Sequence, residues 1–406
     1  MSRVFFISNR TCLGPVGGGR GVNYKLFEAN KKYKLINDAV FIFKNCILNN
    51  ESEEPLISSN NTNVKKKSKI MELLSTSGLC CCIRDCILHY EYKKRIKKLD
   101  KELQFSSDDV YVFQDIESAF CFNKVIGDMP KATIVYHQQG SMYNEWISFN
   151  GKESRVYRFY LYKLMSKTIK AIKSISFPSR GAKECLLDTE PSLDNDLSNA
   201  KENIFYNGVK IDDKKRKNDL PDILKPIKDL NKTKFVTVSA LNEAKAIQNI
   251  PQYLSRIKSD GYDFVWVLVG NGIKAHEVKE EIDKYGISPD VVWIKEPLPH
   301  DQIMSLFRIT DFYIILQKYS IFDYATLEAM SCGNIPVLSP VGGNLEIITN
   351  QNGVFLSELP DVIQVEEIVK SKTTESYKDL NVEIQKAQFS DFTCLKRYAD
   401  WIKDNQ

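Results

Sequence analysis

The chain has 406 residues, of which 43% are hydrophobic and 27% are charged, and its formal net charge is +4. This length exceeds one ordinary hydrophobic core, so two domains are expected. The small net charge does not indicate a nucleic-acid partner, and no apolar run approaches the roughly 20 residues that span a bilayer. The opening MSRVFFISNR lacks the apolar core and cleavage site of a secretory signal, so we expect a cytoplasmic protein.

The ten cysteines are expected to be free thiols, because the chain is large and shows no export signal. The segment GLCCCIRDC holds four of them, Cys80, Cys81, Cys82 and Cys86. Adjacent side chains point in different directions, and no Cys/His pair follows at zinc spacing. The cluster therefore predicts apolar helix packing, and no metal site is expected.

The first half of the chain alternates short apolar runs with helix-like segments. RVFFIS is followed by a glycine-containing loop and a helical stretch at residues 20–30. Further buried strands are predicted at residues 39–43, 109–115, 132–137 and 174–179. Unbroken β-branched and aromatic runs separated by helices predict a parallel sheet covered on both faces.

A polar, charged and proline-bearing segment at residues 209–234 is predicted to be a linker. Beyond it the strand–helix alternation repeats, in the order KFVTVSAL, IQNIPQYLSRIK, YDFVWVLVGNG, AHEVKEEIDKYG, DVVWI, PHDQIMSLFRIT, DFYIIL, TLEAMSCG and IPVLS. Five strands with short connections predict a second doubly wound α/β sheet. Ligands bind at the carboxyl edges of such sheets, so a cleft between two of them is the expected site.

This order of motifs resembles the family 4 glycosyltransferases of GT-B fold, in which two Rossmann-like doubly wound domains face a central cleft that binds a sugar nucleotide. The motifs are VSALNEAK, LVGNG, LEAMSCGNIPVLSPVGG and NGVFL. The resemblance covers nearly the whole chain. It implies an N-terminal acceptor-side domain at residues 1–210 and a nucleotide-sugar-binding domain at residues 211–385. A C-terminal helix at residues 386–406 would pack back toward the first domain.

The donor-binding helix of the family corresponds to the segment that begins near Tyr324. Its N-terminus would turn free N–H groups and the positive end of the helix dipole toward a diphosphate. Ala325 and Thr326 would present backbone amides there, and Thr326 adds a hydroxyl. About one turn later, Glu328 would accept hydrogen bonds from both ribose hydroxyls. The alternative for Glu328 is a solvated helix residue.

Lys245 falls where the family carries a lysine that binds the diphosphate and offsets the charge on the leaving group. A surface lysine without this role is the alternative. Gly270 and Gly272 in VGNG would let the chain turn beneath the base or the phosphates, although a plain turn after a strand serves equally well.

In the first domain the resemblance implies three further site features. Gly17, Gly18 and Gly19 follow the first strand, where the family's glycine loop lies against the donor phosphates and the acceptor. His137 ends the predicted strand ATIVYH and matches a histidine held against the donor sugar, with a structural role as the alternative. Glu145, in SMYNEW, is a candidate acceptor contact.

Two residues of the family pattern are absent. The first glutamate of its paired motif falls on Ser320, and its strand-end arginine falls on Ala240. Losing a phosphate-binding arginine costs about 1.5–3 kcal/mol of binding. Lys318, before the donor helix, would supply replacement charge or remain solvated. The missing glutamate is not an obligatory nucleophile, because the family is thought to retain configuration by same-face attack of the acceptor.

The resemblance therefore implies a retaining, metal-independent glycosyltransferase without a cofactor, which moves a hexose-type sugar from a nucleoside diphosphate to a glycan acceptor. The lysine-, asparagine- and isoleucine-rich composition resembles that of low-GC bacteria, where such enzymes build capsular or exopolysaccharide units on a lipid carrier. Two alternatives stay open. One is a degenerate GT-B subunit that binds glycan or protein and stabilises an active partner, and the other is a sugar-nucleotide epimerase.

Two lysine-rich runs, at residues 64–69 and 92–101, flank the apolar segment IMELLSTSGLCCCIRDCILHY. Basic ends around an apolar middle suit a helix that lies on an anionic membrane surface. A core helix with solvated ends gives the same pattern, so both interpretations stay open. The first would make the protein peripheral on the inner face of the cell membrane.

Overall fold

The computed structural model describes residues 2–12, 21–52, 77–150, 153–211, 222, 224–349, 351–356, 363–370 and 374–406. The chain divides into two compact units. The first contains Met1–Tyr206 and Cys394–Gln406, and the second contains Asn207–Thr393. The polypeptide therefore leaves the first unit after Tyr206 and returns to it near the C-terminus.

Among the described residues of the first unit, seven strands form one sheet in the order β3-β2-β1-β4-β5-β6-β7. The strands are β1 Val4–Ile7, β2 Ala39–Ile42, β3 Ile47–Asn49, β4 Val110–Phe113, β5 Ala132–Val135, β6 Ser174–Phe177 and β7 Lys201–Ile204. All neighbours are parallel except β3, which runs antiparallel to β2. The five strands predicted for this half are confirmed, whereas β3 and β7 were not predicted. Both are edge strands with exposed residues and lack the unbroken apolar run of a central strand.

Helices follow the strands of the first unit. They are α1 Val22–Tyr33, α2 Gly78–Leu103, α3 Ile116–Ile126, α4 Met142–Asn150, α5 Arg155–Ile172, α6 Arg180–Thr189 and α7 Asp194–Ser198. Side-chain N-caps fix where four of them begin. Ser77, Asp115, Ser154 and Ser179 each accept a hydrogen bond from a backbone N–H in the first turn of α2, α3, α5 and α6.

Aromatic side chains cover both faces of the first sheet. Phe5 of β1 packs on Phe105, just beyond the end of α2, with ring centroids 5.0 Å apart. The next residue, Phe6, points to the other face and stacks on Phe41 at 4.6 Å. Tyr398, near the C-terminus, packs on that same side at 6.0 Å from Phe6. The sheet is therefore the middle layer of three, as the unbroken apolar runs predict.

In the part of the second unit that the structure describes, six parallel strands form a sheet in the order β10-β9-β8-β11-β12-β13. They are β8 Thr233–Val238, β9 Phe264–Val269, β10 Val291–Ile294, β11 Phe312–Ile315, β12 Ile335–Leu338 and β13 Val354–Phe355. The five predicted strands are confirmed. The sixth, β13, has only two residues, which is too short for a sequence pattern. The strand order reverses between β8 and β11, where doubly wound sheets bind ligands.

The helices of this unit are α8 Lys225–Lys228, α9 Ile250–Ser259, α10 Ala275–Lys284, α11 His300–Ile309, α12 Tyr324–Ser331, α13 Asn344–Ile347, α14 Ile363–Lys370 and α15 Thr374–Gln388, and they are followed by α16 Asp391–Asn405. Thus α16 begins in the second unit, and its residues from Cys394 onward belong to the first. The predicted α/β class is confirmed in both units.

The predicted linker is partly structured. Leu224 and Ile227 are buried, so the α8 region packs into the second unit, and the final residues of the predicted linker already form β8. Val209, at its start, exchanges backbone hydrogen bonds with Phe389 and Asp391, both 2.9 Å long. The linker prediction was wrong for these parts, because charged residues surround the few apolar side chains that anchor them.

The ten cysteines are free thiols, and those of the GLCCCIRDC cluster lie on α2. Cys81 is buried, as helix packing predicts, whereas Cys86 is exposed. No helix within the described ranges is both long enough and apolar enough to cross a membrane.

Candidate functional site

Four loops meet at the carboxyl edge of the second sheet, after β8, β9, β11 and β12. Backbone hydrogen bonds join them in pairs. The Leu241 N–H donates to the Asn271 carbonyl at 3.0 Å, and the Lys318 N–H donates to the Ala244 carbonyl at 2.9 Å. The Gly343 N–H donates to the Ser320 carbonyl at 2.8 Å. The loops that carry or precede the predicted donor residues of this unit are therefore joined to one another at this edge.

Glycine is needed at two predicted positions because neighbouring backbone lies too close for a side chain. A Cβ on Gly270 would lie 1.9 Å from the Ser239 carbonyl oxygen, and one on Gly272 would lie 2.2 Å from that of Leu241. Gly270 also has φ +142°, which L-residues rarely adopt. The glycines thus let the β9 loop lie against the β8 loop, which carries Lys245.

Two residues before the donor-type helix α12, the backbone is strained. Phe322 has φ +118°, a conformation that costs a bulky residue about 1–3 kcal/mol. Its ring packs on Phe389 at 5.1 Å, and its carbonyl accepts a hydrogen bond from the Asn207 side chain at 2.9 Å. Asn207 also accepts from the Tyr324 hydroxyl at 3.1 Å. These contacts hold the turn that sets the direction of α12.

An ion pair lies at the N-terminus of α12. Lys245 Nζ is 2.8 Å from Oδ1 of Asp323, and the two side chains are only 16% and 20% exposed. Burial of the Asp323 carboxyl opposes its ionisation, but the charge and hydrogen bond of Lys245 outweigh burial and lower the pKa of Asp323. Thr326 Oγ1 lies 3.4 Å from Asp323 Oδ2. The lysine and hydroxyl predicted to meet a diphosphate therefore already face a carboxylate.

Glu328 lies in the second turn of α12 and is mostly buried, with 14% of its side chain exposed. Its Oε1 is 3.2 Å from Nε2 of His300, the first residue of α11. Ala325, one turn earlier, is half-buried and Thr326 is fully buried. Sequence reasoning missed His300, since nothing in the sequence links it to a glutamate 28 positions later.

Ser320, in the loop after β11, is 1% exposed, and its hydroxyl has no hydrogen-bond partner among the described residues. Gly342 approaches it so closely that an added Cβ would lie 2.2 Å from the Ser320 carbonyl oxygen. An unsatisfied buried hydroxyl costs about 1–3 kcal/mol. Asn344 nearby is also fully buried, and its Oδ1 has no partner within the described ranges. Two buried polar groups beside this loop are therefore unsatisfied by the described residues, and such groups call for an explanation such as an unseen ligand or water.

Two further lysines of this edge are also paired with a carboxylate. Lys318 Nζ contacts Glu243 Oε1, and Lys274 Nζ is 3.0 Å from Glu243 Oε2. Hydrogen bonds from Lys318 and Lys274 lower the pKa of Glu243. Ala240, at the position of the absent arginine, is exposed and adds no charge. Lys245, Lys318 and Lys274 thus each offset a carboxylate at this edge.

In the first unit, His137 follows β5 and is 9% exposed. Burial, with a smaller contribution from Arg10, lowers the pKa of His137 to about 3, so the ring is neutral at pH 7. Its Nε2 has no hydrogen-bond partner in the described part of the chain. Glu145 lies in the first turn of α4 and is half-buried. Gly18 and Gly19, together with the run at residues 64–69, lie outside the described residues.

A further carboxyl of this unit was missed. Glu117 lies in the first turn of α3, which directly follows β4, the strand beside β5. Burial and the nearby Asp115 carboxylate raise the pKa of Glu117 to about 7, although Arg10 opposes the shift. The available signal was the acidic pair in QDIES after a predicted strand, at the edge where ligands bind.

Residues 222–384 match the family model of Glycosyl transferases group 1. N-acetyl-alpha-D-glucosaminyl L-malate synthase of Bacillus anthracis is 23% identical over 181 residues, covering 42% of this chain and 46% of that protein. The phosphatidylinositol N-acetylglucosaminyltransferase GPI3 subunit of Saccharomyces cerevisiae is 22% identical over 228 residues, covering 54% and 49%. The chain thus spans about half the length of the curated relatives it matches.

The solved structure of Anabaena HepE in complex with UDP and glucose superposes with a TM-score of 0.59 and 13% identity, and the alignment covers 100% of both chains. The predicted GT-B fold, with two Rossmann-like domains, is confirmed by this likeness. In the described part of the chain, no three His, Cys, Asp or Glu side chains come together as metal ligands would.

Proposed function

We propose that this chain is a retaining, metal-independent family 4 glycosyltransferase that moves a hexose-type sugar from a nucleoside diphosphate to a lipid-linked glycan acceptor. One observation carries the proposal. The start of α12, the Lys245 ammonium and the Glu328 carboxylate all lie at the switch point of a doubly wound sheet, within a group 1 glycosyltransferase domain. These are the three groups that a nucleoside diphosphate needs, namely N–H donors, a cation and a ribose acceptor.

The diphosphate would accept hydrogen bonds from the first N–H groups of α12, at Ala325 and Thr326, where the helix dipole favours negative charge. Lys245 would move its contact from Asp323 to a phosphate oxygen, or bridge the two. As the bond between the sugar and the diphosphate breaks, the electron pair passes to a phosphate oxygen. The lysine would stabilise the charge that develops there.

The acceptor hydroxyl would attack from the face that the diphosphate leaves, and its proton would pass to the departing phosphate oxygen, so configuration is retained. Ser320 would contact the donor sugar through its unsatisfied hydroxyl. His137, held neutral by burial, would serve as a hydrogen-bonding partner of the sugar and not as a cation. Gly18 and Gly19 would lie against the donor phosphates, and Glu145 would contact the acceptor.

The relatives suggest where to begin the search for the donor. The yeast and Bacillus proteins have N-acetylglucosaminyl transfer or its product in their names, and HepE was solved with UDP and glucose. We therefore propose UDP as the nucleotide, with N-acetylglucosamine and glucose as the first sugars to test. We further propose a role in capsule or exopolysaccharide synthesis at the inner face of the cell membrane, since lipid-linked acceptors are confined to membranes.

A degenerate GT-B subunit that stabilises an active partner is the second candidate. The ion pair between Asp323 and Lys245 favours this candidate, because the lysine that would bind the diphosphate is already neutralised by a carboxylate. The serine at position 320 and the alanine at position 240 favour it as well. The purified chain, incubated alone with UDP-sugars, separates the two candidates. Donor hydrolysis or sugar transfer without a partner excludes the degenerate subunit, whereas their absence with the matching lipid-linked acceptor excludes the transferase. A sugar of changed configuration, formed from the donor without any acceptor, would indicate an epimerase.

The ribose contact is tested by calorimetry with nucleoside diphosphates. Glu328→Ala should weaken binding by about 1.5–3 kcal/mol, the range for hydrogen bonds to a charged group. Glu383→Ala, on the exposed side of α15, is the matched control and should bind as the wild type does. Unchanged affinity of Glu328→Ala for every nucleoside diphosphate would remove Glu328 from the site.

A further inference from the structure

The longest described helix of the first unit exposes an apolar stripe. On α2, Leu79, Ile83, Ile87 and Tyr90 recur every three or four residues, with 62%, 47%, 40% and 57% of each residue exposed. This spacing puts them on one side of the helix. The opposite side is buried and includes Tyr92. An apolar patch of this kind on a folded protein marks an interaction surface more often than chance exposure.

A second helix extends the same patch. α5 exposes Val156 at 56% and Phe159 at 61%. It runs alongside α2 in the same direction. An added Cβ on Gly78, at the start of α2, would meet Ser154 at the start of α5, and farther along Cys86 Sγ lies 4.0 Å from the Tyr160 hydroxyl. The apolar ends of the two helices are therefore side by side.

Both stripes change from apolar to basic in the same direction. On α2 the stripe continues through the exposed residues Lys94, Lys97 and Lys101, and on α5 through Lys163 and Lys167. At the junctions, Lys94 Nζ is 4.5 Å from the centre of the Tyr90 ring, and Lys163 Nζ is 5.3 Å from that of Phe159. The result is one surface with an apolar end and a basic end. We call it the α2–α5 face.

We propose that the α2–α5 face binds an anionic lipid surface, with its apolar end below the lipid phosphates and its lysines among them. Charge complementarity selects this occupant. Two helices far apart in sequence carry the same apolar-then-lysine order, which matches the layers of an anionic bilayer. A protein partner could bind this face without both helices having the same apolar-then-lysine order. Lipid binding by this face does not depend on the proposed function. Only its purpose does, because lipid binding would bring the enzyme to a lipid-linked acceptor.

Cosedimentation of the full chain with vesicles tests the proposal. The wild type should bind vesicles of equal parts phosphatidylcholine and phosphatidylglycerol at low salt, bind phosphatidylcholine alone weakly, and be released as salt screens the lysines. Lys94→Gln with Lys163→Gln should lower the partition coefficient roughly 20- to 30-fold, since each lysine near such a surface contributes about fivefold. Exposed lysines on α16, changed as Lys396→Gln with Lys403→Gln, form the matched control and should bind like the wild type.

The apolar end is tested by Ile83→Ser with Phe159→Ser, which should weaken vesicle binding even at high salt. Leu35→Ser with Ile47→Ser changes two apolar residues that are 37% and 39% exposed on other elements, and should leave binding unchanged. Circular dichroism and a cooperative thermal unfolding transition confirm that each variant is folded. Because vesicle binding needs no sugar transfer, it holds or fails separately from the proposed activity.

Three results would overturn the proposal. The first is wild-type protein that does not sediment with phosphatidylglycerol vesicles at low salt. The second is a lipid-free dimer that Ile83→Ser with Phe159→Ser converts to monomer, which would make a second copy the occupant. The third is vesicle binding that appears only after residues 53–76 are deleted, which would make that segment the cover of the face.

Discussion

Breaking the Lys245–Asp323 ion pair is predicted to have two opposite effects. It should lower the stability of the fold and raise the affinity for the nucleotide. Asp323→Asn removes the carboxylate but keeps a side chain of the same shape at the N-cap of α12. Lys245, with only 16% of its side chain exposed, then loses the negative charge that lies 2.8 Å away, although the amide oxygen can still accept a hydrogen bond. Leaving a largely buried ammonium without its counter-charge should lower the free energy of unfolding by about 1–3 kcal/mol. The same change should strengthen nucleotide binding, because the diphosphate no longer competes with Asp323.

The gain in affinity follows from the charges. A unit charge about 5 Å from another contributes about 3 kcal/mol at an effective dielectric constant of 20. Solvent at a site that is 20% exposed reduces this figure, so we expect about 1–2 kcal/mol, or roughly 5- to 30-fold tighter UDP binding. Calorimetry gives the affinity, and urea unfolding gives the stability. Asp283→Asn is the matched control, since it breaks the exposed pair with Lys279 and should change neither quantity.

The pH dependence supplies an independent check. Because the native pKa of Asp323 is lowered, its contribution to stability is present above the unfolded value near 4. It is lost as pH falls through the lower native pKa. The stability difference between wild type and Asp323→Asn should therefore be full at neutral pH and shrink below about pH 4. Weaker or unchanged UDP binding by Asp323→Asn would refute the idea that this carboxylate competes with the diphosphate.

Three further predictions concern single residues of the candidate site. Lys245→Ala should lower kcat more than donor affinity, and an equal loss in both would make it a simple binding contact. Ser320→Glu should change donor preference or reduce turnover in assays against a donor panel, because it buries a carboxylate at a position that is 1% exposed; unchanged kinetics would place Ser320 away from the sugar. As pH falls from about 6.5 to 3, the free energy of unfolding of His137→Gln should fall by a few kcal/mol less than that of the wild type. The reason is that the buried imidazole has a lowered pKa, so the unfolded chain binds a proton at this residue before the folded chain does. Urea unfolding across that range measures the difference, and parallel curves for variant and wild type would contradict the lowered pKa.

The central strands were predictable because burial on both faces leaves a clear signature. FVWVLV, the sequence of β9, is buried at every position and reads as an unbroken apolar run. The edge strand β7, KENI, has two exposed and two half-buried residues. Its extended conformation is therefore determined by hydrogen bonds to β6, and its amino-acid composition does not reveal it. Sequence patterns report burial, and they fail where a strand is specified by its neighbour.

The candidate site was likewise predictable only in part. Resemblance to a family supplied the positions of Lys245 and Glu328, because motifs preserve the order of functional residues. It did not supply Asp323 or His300 as their partners, since these contacts join residues 78 and 28 positions apart. The raised pKa of Glu117 depends mainly on burial, which the sequence does not give, although the neighbouring Asp115 is visible in QDIES. Pairing and protonation require the folded geometry.

The return of the chain to the first unit has a consequence for biosynthesis. Tyr398 is 1% exposed and packs on Phe205 at 4.3 Å, and Trp401 makes an edge-to-face contact with the same ring at 6.2 Å. Both aromatic residues belong to α16, nearly two hundred residues after Phe205. Part of the hydrophobic core of the first unit therefore stays exposed while the ribosome translates the second unit. The domain that is made first is the last to be completed, and a chaperone that holds Phe6 and Phe205 during that interval would raise the yield of folded protein.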